Sequence, residues 1–220
     1  MSLAPPACSR RAFTLAAVSA LSLGAPLAHA GVERGIFLQP LGGGVPDAEL
    51  SLVRRALEAV FSEPVAVLAN AELPKHAYYA PRSRYRAEKL LHFLRPRLPE
   101  GGRRIAGITA VDISTTKPPH DDWGILGLAT LDGGACVLST FRCHRRAKSV
   151  EQARVRFAKT AVHELGHTFG LEHCPNRGCL MEDGGGSVLT TDRERDLCAA
   201  CRARLGARGV LRSPPGPLPW

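Results

Sequence analysis

Residues 163–173 read His163-Glu164-Leu165-Gly166-His167-Thr168-Phe169-Gly170-Leu171-Glu172-His173, and the fold is decided by this stretch. His163 and His167 stand four apart, so a helix carries both imidazoles on one face. Residues upstream predict that helix independently. Ser149 with Gln152 makes a capping box, and the helix it opens is expected to run to about Phe169. Gly166 is costly inside a helix and is expected where another segment comes close. Gly170 falls where a left-handed C-cap would end the helix and let the chain swing His173 beneath the other two. Neutral imidazoles of His163, His167 and His173 can hold zinc with one position left open, a site that activates water and polarises a carbonyl. Glu164 lies beside such a metal rather than over it, as a general base should. Incidental histidines on a surface helix do not account for the added glycine and third histidine.

Downstream, Cys174 follows His173 directly, Cys179 comes five residues later, and Cys198 with Cys201 forms a CxxC pair. Two cysteine pairs separated by a loop have the spacing of a closed structural zinc site. In an oxidising compartment the same residues could form disulfides instead. Cys136 and Cys143 flank one predicted strand and are either a disulfide or two free thiols. Met181, the single methionine after Met1, lies eight residues past His173.

This string, from His163 through Cys201, closely resembles the archaemetzincin family of zinc peptidases, of the metzincin clan. The matching residues are His163, Glu164, His167, Gly170, His173, Cys174, Cys179, Met181, Cys198 and Cys201. A looser likeness extends through residues 105–141, where Val137-Leu138-Ser139-Thr140 looks like the last sheet strand before the active-site helix. Residues 1–100 match only in organisation. The resemblance implies a zinc metallopeptidase with two zinc ions per chain. The catalytic ion would sit on His163, His167 and His173, and the structural one on Cys174, Cys179, Cys198 and Cys201. Met181 would form the turn beneath the metal, and the substrate would be a peptide or protein in a narrow cleft. An alternative is a catalytically idle, zinc-bound module that binds peptides or partners. The presence of Glu164, the base such a module is free to lose, favours the enzyme.

Hydrophobic spacing predicts a strand at 35–41, a helix from Asp47 as N-cap through Phe61, and a strand at 64–68. A basic helix over 84–94 and a strand over 105–113 follow. Residues 115–122 read as a loop, and 126–131 with 136–141 as a hairpin joined by Asp132-Gly133-Gly134. The predicted class is α+β, or mixed α/β: a twisted mixed sheet with backing helices, the active-site helix, and a small zinc-stapled C-terminal lobe. The catalytic domain is expected over 31–212, with a sheet and helix lobe at 31–170 and a small lobe at 171–212. Residues 213–220 read as a loose Pro-rich tail. An extended peptide is expected to add as a strand beside residues 136–141.

Residues 1–30 read as an export signal: Arg10-Arg11 before Phe13, an apolar run, then Ala28-His29-Ala30. Paired arginines followed by an aromatic point to the twin-arginine route, with an ordinary secretory signal as the alternative. Either makes the mature protein periplasmic or secreted, and the apolar run is too short to remain as a membrane span. The formal net charge is +9, and residues 1–30 carry two arginines and no acid, leaving +9 − 2 = +7. These basic residues are scattered without interleaved aromatics, so no specific nucleic-acid partner is expected. Oligomeric state is not encoded in any feature of the sequence.

Overall fold

The strand predicted at 35–41 forms as β1 (Ile36–Leu41), with all six residues buried, and the rest of the fold is arranged on either side of it. The computed structural model describes Met1 and residues 34–220; the expected export segment, residues 1–30, lies outside the described residues. After β1 come α1 (Asp47–Val60) and β2 (Val65–Val67). Short elements follow: β3 (Tyr78–Tyr79), β4 (Arg84–Arg86) and α2 (Ala87–Leu94). Then come β5 (Arg104–Thr109), β6 (Ile113–Lys117), β7 (His120–Ile125), β8 (Gly127–Ala129) and β9 (Ala135–Ser139). The long helix α3 (Val150–Thr168) and two short ones, α4 (Thr190–Arg193) and α5 (Ala199–Ala207), complete the order.

The main sheet has the order β2-β1-β5-β9-β8. β2, β1, β5 and β9 run parallel, and β8 pairs antiparallel with β9 at the edge. Parallel strands need both faces covered, and a period of two sends alternate residues to each face. Along β1, Ile36 and Leu38 join Val53, Leu57, Phe157 and Val162 in a core with α1 and α3. Phe37 and Leu41 turn the other way, to Leu90 and Leu94 of α2. β9 repeats the pattern, with Cys136 and Leu138 on the first side and Ala135 and Val137 on the second. The predicted mixed sheet with backing helices is therefore what forms. Leu180, Met181, Leu197 and Leu205, all after Gly170, share the core of α1 and α3.

Local expectations change where distant groups intervene. Asp47 is not the N-cap; Pro46 holds that position without a side-chain hydrogen bond, and Asp47 is the first residue of α1. Residues 84–86, expected to begin a helix, form β4, and residues 115–122, expected as a loop, form most of a β6–β7 hairpin turning at Pro118-Pro119. Together with β3 they make a second sheet, β3-β4-β6-β7. Isoleucine and threonines in β6 suit an extended chain, and Asp122 on β7 is gripped by Arg84 at 3.1 Å and Arg86 at 3.6 Å on β4. Those ion pairs link residues nearly forty apart and leave no local trace. The tail expected to be loose is also held: Gly216 N–H donates to Ala59 O (3.1 Å) and Trp220 Nε1 to Arg195 O (3.1 Å). Cys136 and Cys143 are both buried free thiols.

The start of α3 follows the sequence closely. Ser149 Oγ accepts the Gln152 N–H at 3.0 Å, while Gln152 Oε1 accepts the Lys148 N–H at 2.6 Å, one residue outside the reciprocal pattern. Replacing Ser149 with alanine should lower stability by about 1 kcal/mol through loss of that cap, a shift in midpoint that urea denaturation will measure.

Candidate active site

α3 carries His163 and His167 on adjacent turns, and the reversal at its end brings His173 against them. Ring centroids lie 4.6, 5.3 and 4.8 Å apart. At the reversal Gly170 has φ +79°, its N–H donates to His167 O (2.9 Å), and Leu171 N–H donates to Gly166 O (3.0 Å). These are the two bonds of a Schellman turn, so the left-handed C-cap read at Gly170 forms.

Backbone carbonyls set the tautomers. His163 Nδ1 lies 2.7 Å from Leu180 O and His167 Nδ1 lies 2.6 Å from Leu171 O. A carbonyl can only accept, so both protons sit on Nδ1. Burial, with the neighbouring His167, pulls His163 down to about 3, and burial also lowers His167; both rings are neutral. Their Nε2 atoms then present bare lone pairs to each other at 3.0 Å. Two lone pairs do not bond, and a cation reconciles them. Tetrahedral zinc at ~2.0–2.1 Å from nitrogen spaces its ligand atoms by roughly 3.4 Å. The candidate ligand atoms of His163, His167 and His173 all lie within 4.8 Å of one another, so this donor set fits zinc.

Glu164 is 7 % exposed, and burial pushes its carboxyl up to about 8. The backbone of β8 passes directly over it: a Cβ at Gly127 would stand 2.6 Å from Glu164 Cγ and Oε1. Gly166 meets the close approach that its place in a helix predicts, since a Cβ there would be 2.5 Å from Met181 Sδ. Met181 is fully buried, and its carbonyl accepts the Cys174 N–H at 2.7 Å.

Cys174, Cys179, Cys198 and Cys201 converge, their sulfurs all within 4.8 Å. Sγ atoms of Cys174 and Cys198 are 3.7 Å apart, and those of Cys179 and Cys201 3.8 Å. A disulfide needs ~2.05 Å, whereas tetrahedral Zn–S bonds of ~2.3 Å put sulfurs roughly 3.8 Å apart. Backbone donors face the sulfurs: Met181 N–H and Cys198 N–H approach Cys179 Sγ at 3.5 and 3.4 Å. Burial opposes ionisation of Cys198, but hydrogen bonds from the Asn176 side chain and the Cys201 backbone bring it down to about 6. Donors aimed at sulfur favour thiolates, the form that binds zinc.

The segment expected as the open cleft edge, 136–141, is not one. β9 is paired on both sides, with β5 and with β8. β8 is the edge strand, and Gly127 to Ala129 line the cleft beside His163, Glu164 and His173. The second sheet contributes Lys117 and Trp123, which border an open cleft of about 850 Å³, counting its solvent-open mouth, that reaches His163 and Glu164. Trp123 also closes on Gly186, whose Cβ would lie 2.6 Å from its ring. The hairpin read at 126–131 and 136–141 forms as β8 and β9; sequence reasoning missed that β8 is its cleft-facing edge, and missed Trp123. Gly124 and Gly127 inside strand-like sequence were the available signal of close backbone approach.

The sequence profile of Peptidase family M54 matches residues 50–207. The archaemetzincin of Halobacterium salinarum is 36 % identical over 170 residues, covering 73 % of this chain and 93 % of that relative. The crystal structure of the Methanopyrus kandleri archaemetzincin superposes with a TM-score of 0.68 at 30 % identity, covering 80 % of this chain and 95 % of the other. That of the Archaeoglobus fulgidus archaemetzincin, complexed with malonate, gives 0.65 at 31 % identity, covering 78 % and 99 %. Since the matched region takes in α3 and everything through α5, this chain belongs to peptidase family M54, the archaemetzincins, and is a zinc metallopeptidase.

Proposed function

We propose that the chain is an exported peptidase in which Glu164 is the general base. His163, His167 and His173 would hold the catalytic zinc; Cys174, Cys179, Cys198 and Cys201 a second, structural one. The observation that carries this reading is the pair of unprotonated Nε2 atoms 3.0 Å apart, with a buried carboxylate one residue away. Zinc bound there supplies a Lewis acid for the scissile carbonyl and the attacking water.

Glu164 takes the proton of that water and later delivers it to the leaving amine. β8 positions the substrate: its unpaired edge offers N–H and C=O groups to any extended peptide, with little dependence on sequence. Because the Gly127 backbone lies against Glu164, a peptide on this edge presents its carbonyls next to the base. The cysteine cluster holds the segment that carries both His173 and Met181, so its metal supports the site without entering the reaction. The mature catalytic domain is residues 31–212, delivered outside the cytoplasm by residues 1–30. A catalytically idle binding module is the less favoured reading, since it leaves a buried carboxylate beside the histidines without a task.

Elemental analysis of the mature chain should find two zinc ions, and Glu164→Ala should keep both while losing peptide hydrolysis. Lost metal would make its role structural; retained hydrolysis would remove it as the base.

Gly127→Ala should slow hydrolysis on the order of 100-fold by displacing Glu164, with zinc content and the folded state unchanged. Full activity in that variant would show that the carboxylate does not depend on β8.

Replacing Arg10 and Arg11 with lysines should trap precursor in the cytoplasm if export uses the twin-arginine route. Undiminished processed protein outside would assign the general secretory route.

A further inference from the structure

Beside the histidines a second, narrower pocket opens off the cleft. Its walls include His163 and Glu164 together with Leu126, Thr160, Glu182, Thr190, Thr191 and Glu194, around about 360 Å³ counting its opening. Those walls offer acceptors. The Thr160 hydroxyl donates to Arg156 O (2.9 Å), that of Thr191 to Val188 O (2.6 Å), and that of Thr190 to Gly184 O (3.5 Å). A hydroxyl has one proton, so each has only lone pairs left for anything entering the pocket.

Glu194 is 4 % exposed and lines this space. Among the described residues no group donates a hydrogen bond to its carboxylate. Lys159 directs two of its three donors to the carbonyls of Thr191 (2.9 Å) and Glu194 (2.6 Å), and acts on the carboxylate only through space. Arg193 is paired with Glu182. Burial, partly offset by Lys159, pushes the Glu194 carboxyl up to about 8. A buried carboxylate without donors is unfavourable, and an entering cation with N–H groups relieves it.

We infer that this pocket receives the side chain of a substrate lysine or arginine flanking the scissile bond, with Glu194 as its counter-ion. The inference rests on the peptidase reading above and adds a substrate class to it. A long basic side chain lays its methylenes along Leu126 and the threonine methyls and delivers its head group to Glu194. An acidic side chain is rejected by the same carboxylate. The outer cleft carries Lys117 and Arg145 with Asp183, and its Arg142 is paired with Asp112; Asp183 already accepts the Gly185 N–H, so a basic side chain gains more at the donor-free Glu194.

The test uses short, blocked, neutral peptides that differ at one central residue, lysine or norleucine. Binding is followed by fluorescence anisotropy to the zinc-loaded full chain carrying Glu164→Ala, which holds peptide without turnover. The lysine peptide should bind about tenfold more tightly or better, equivalent to ~1.4 kcal/mol. Adding Glu194→Gln should erase that ratio by weakening the lysine peptide alone. Wild-type protein should cleave next to the lysine, as mass spectrometry will locate. Equal binding of both peptides, or a ratio that survives Glu194→Gln, overturns the assignment. If Glu194→Gln loses norleucine binding as well, the ratio is read on Glu194→Asp, where an unchanged value overturns it. A lysine preference in binding without any wild-type cleavage would keep the pocket and remove the peptidase reading; cleavage without preference would do the reverse.

Discussion

The site depends on one backbone constraint, the left-handed turn at Gly170. A helix can align two histidines by itself but cannot bring a third to the same point, because the next residues on its face climb away along the axis. The Schellman bonds to His167 O and Gly166 O stop α3 within one residue and send the chain back under it. A Cβ at Gly170 would also strike the Arg208 guanidinium at 2.4 Å, and Arg208 is held by Asp132 at 2.6 Å. The positive φ is what requires glycine, since the exposed Arg208 side chain can swing aside for a Cβ. His173 is placed by this turn, and Cys174, the next residue, carries the constraint into the sulfur cluster.

What holds the other side of the site is the polar face of α3. Arg156 is almost wholly buried yet satisfied: it makes a two-pronged contact with Asp192 at 2.7 and 2.7 Å and donates to the carbonyls of Cys143 and Arg145. Lys159, one turn on, binds the carbonyls of Thr191 and Glu194. Buried cations are stable only when such partners are complete. The consequence is a 190–194 segment tied to α3 at Thr191, Asp192 and Glu194. One helix thus sets the histidines on one face and, through these cations, the acceptor-lined pocket beside them.

The hydrogen bonds around the histidines join distant parts of the core to the chemistry. Leu180 and Leu171 are buried core residues, and their carbonyls fix the Nδ1 protons of His163 and His167. Packing of those leucines, together with Met181 under Gly166, therefore decides which nitrogen of each ring faces the other histidines.

What the sequence by itself determined is whatever acts within a few residues. Donor spacing on α3, the Ser149 cap, the turn at Gly170 and the CxxC pair were all legible, because helix geometry and capping convert spacing directly into position. The strand-like runs at 35–41 and 136–141 likewise marked β1 and β9. Only the tertiary structure decided that β9 is interior and β8 the edge, since which strand stands beside which is fixed by side chains from other elements. The second sheet escaped notice for the same reason: Arg84 and Arg86 look like a basic helix until Asp122 folds across from nearly forty residues away. Glu194 is an ordinary acid in the sequence. It becomes a buried, donor-poor group only when Lys159 draws its backbone against α3, because desolvation is a property of the packed chain and not of any residue order.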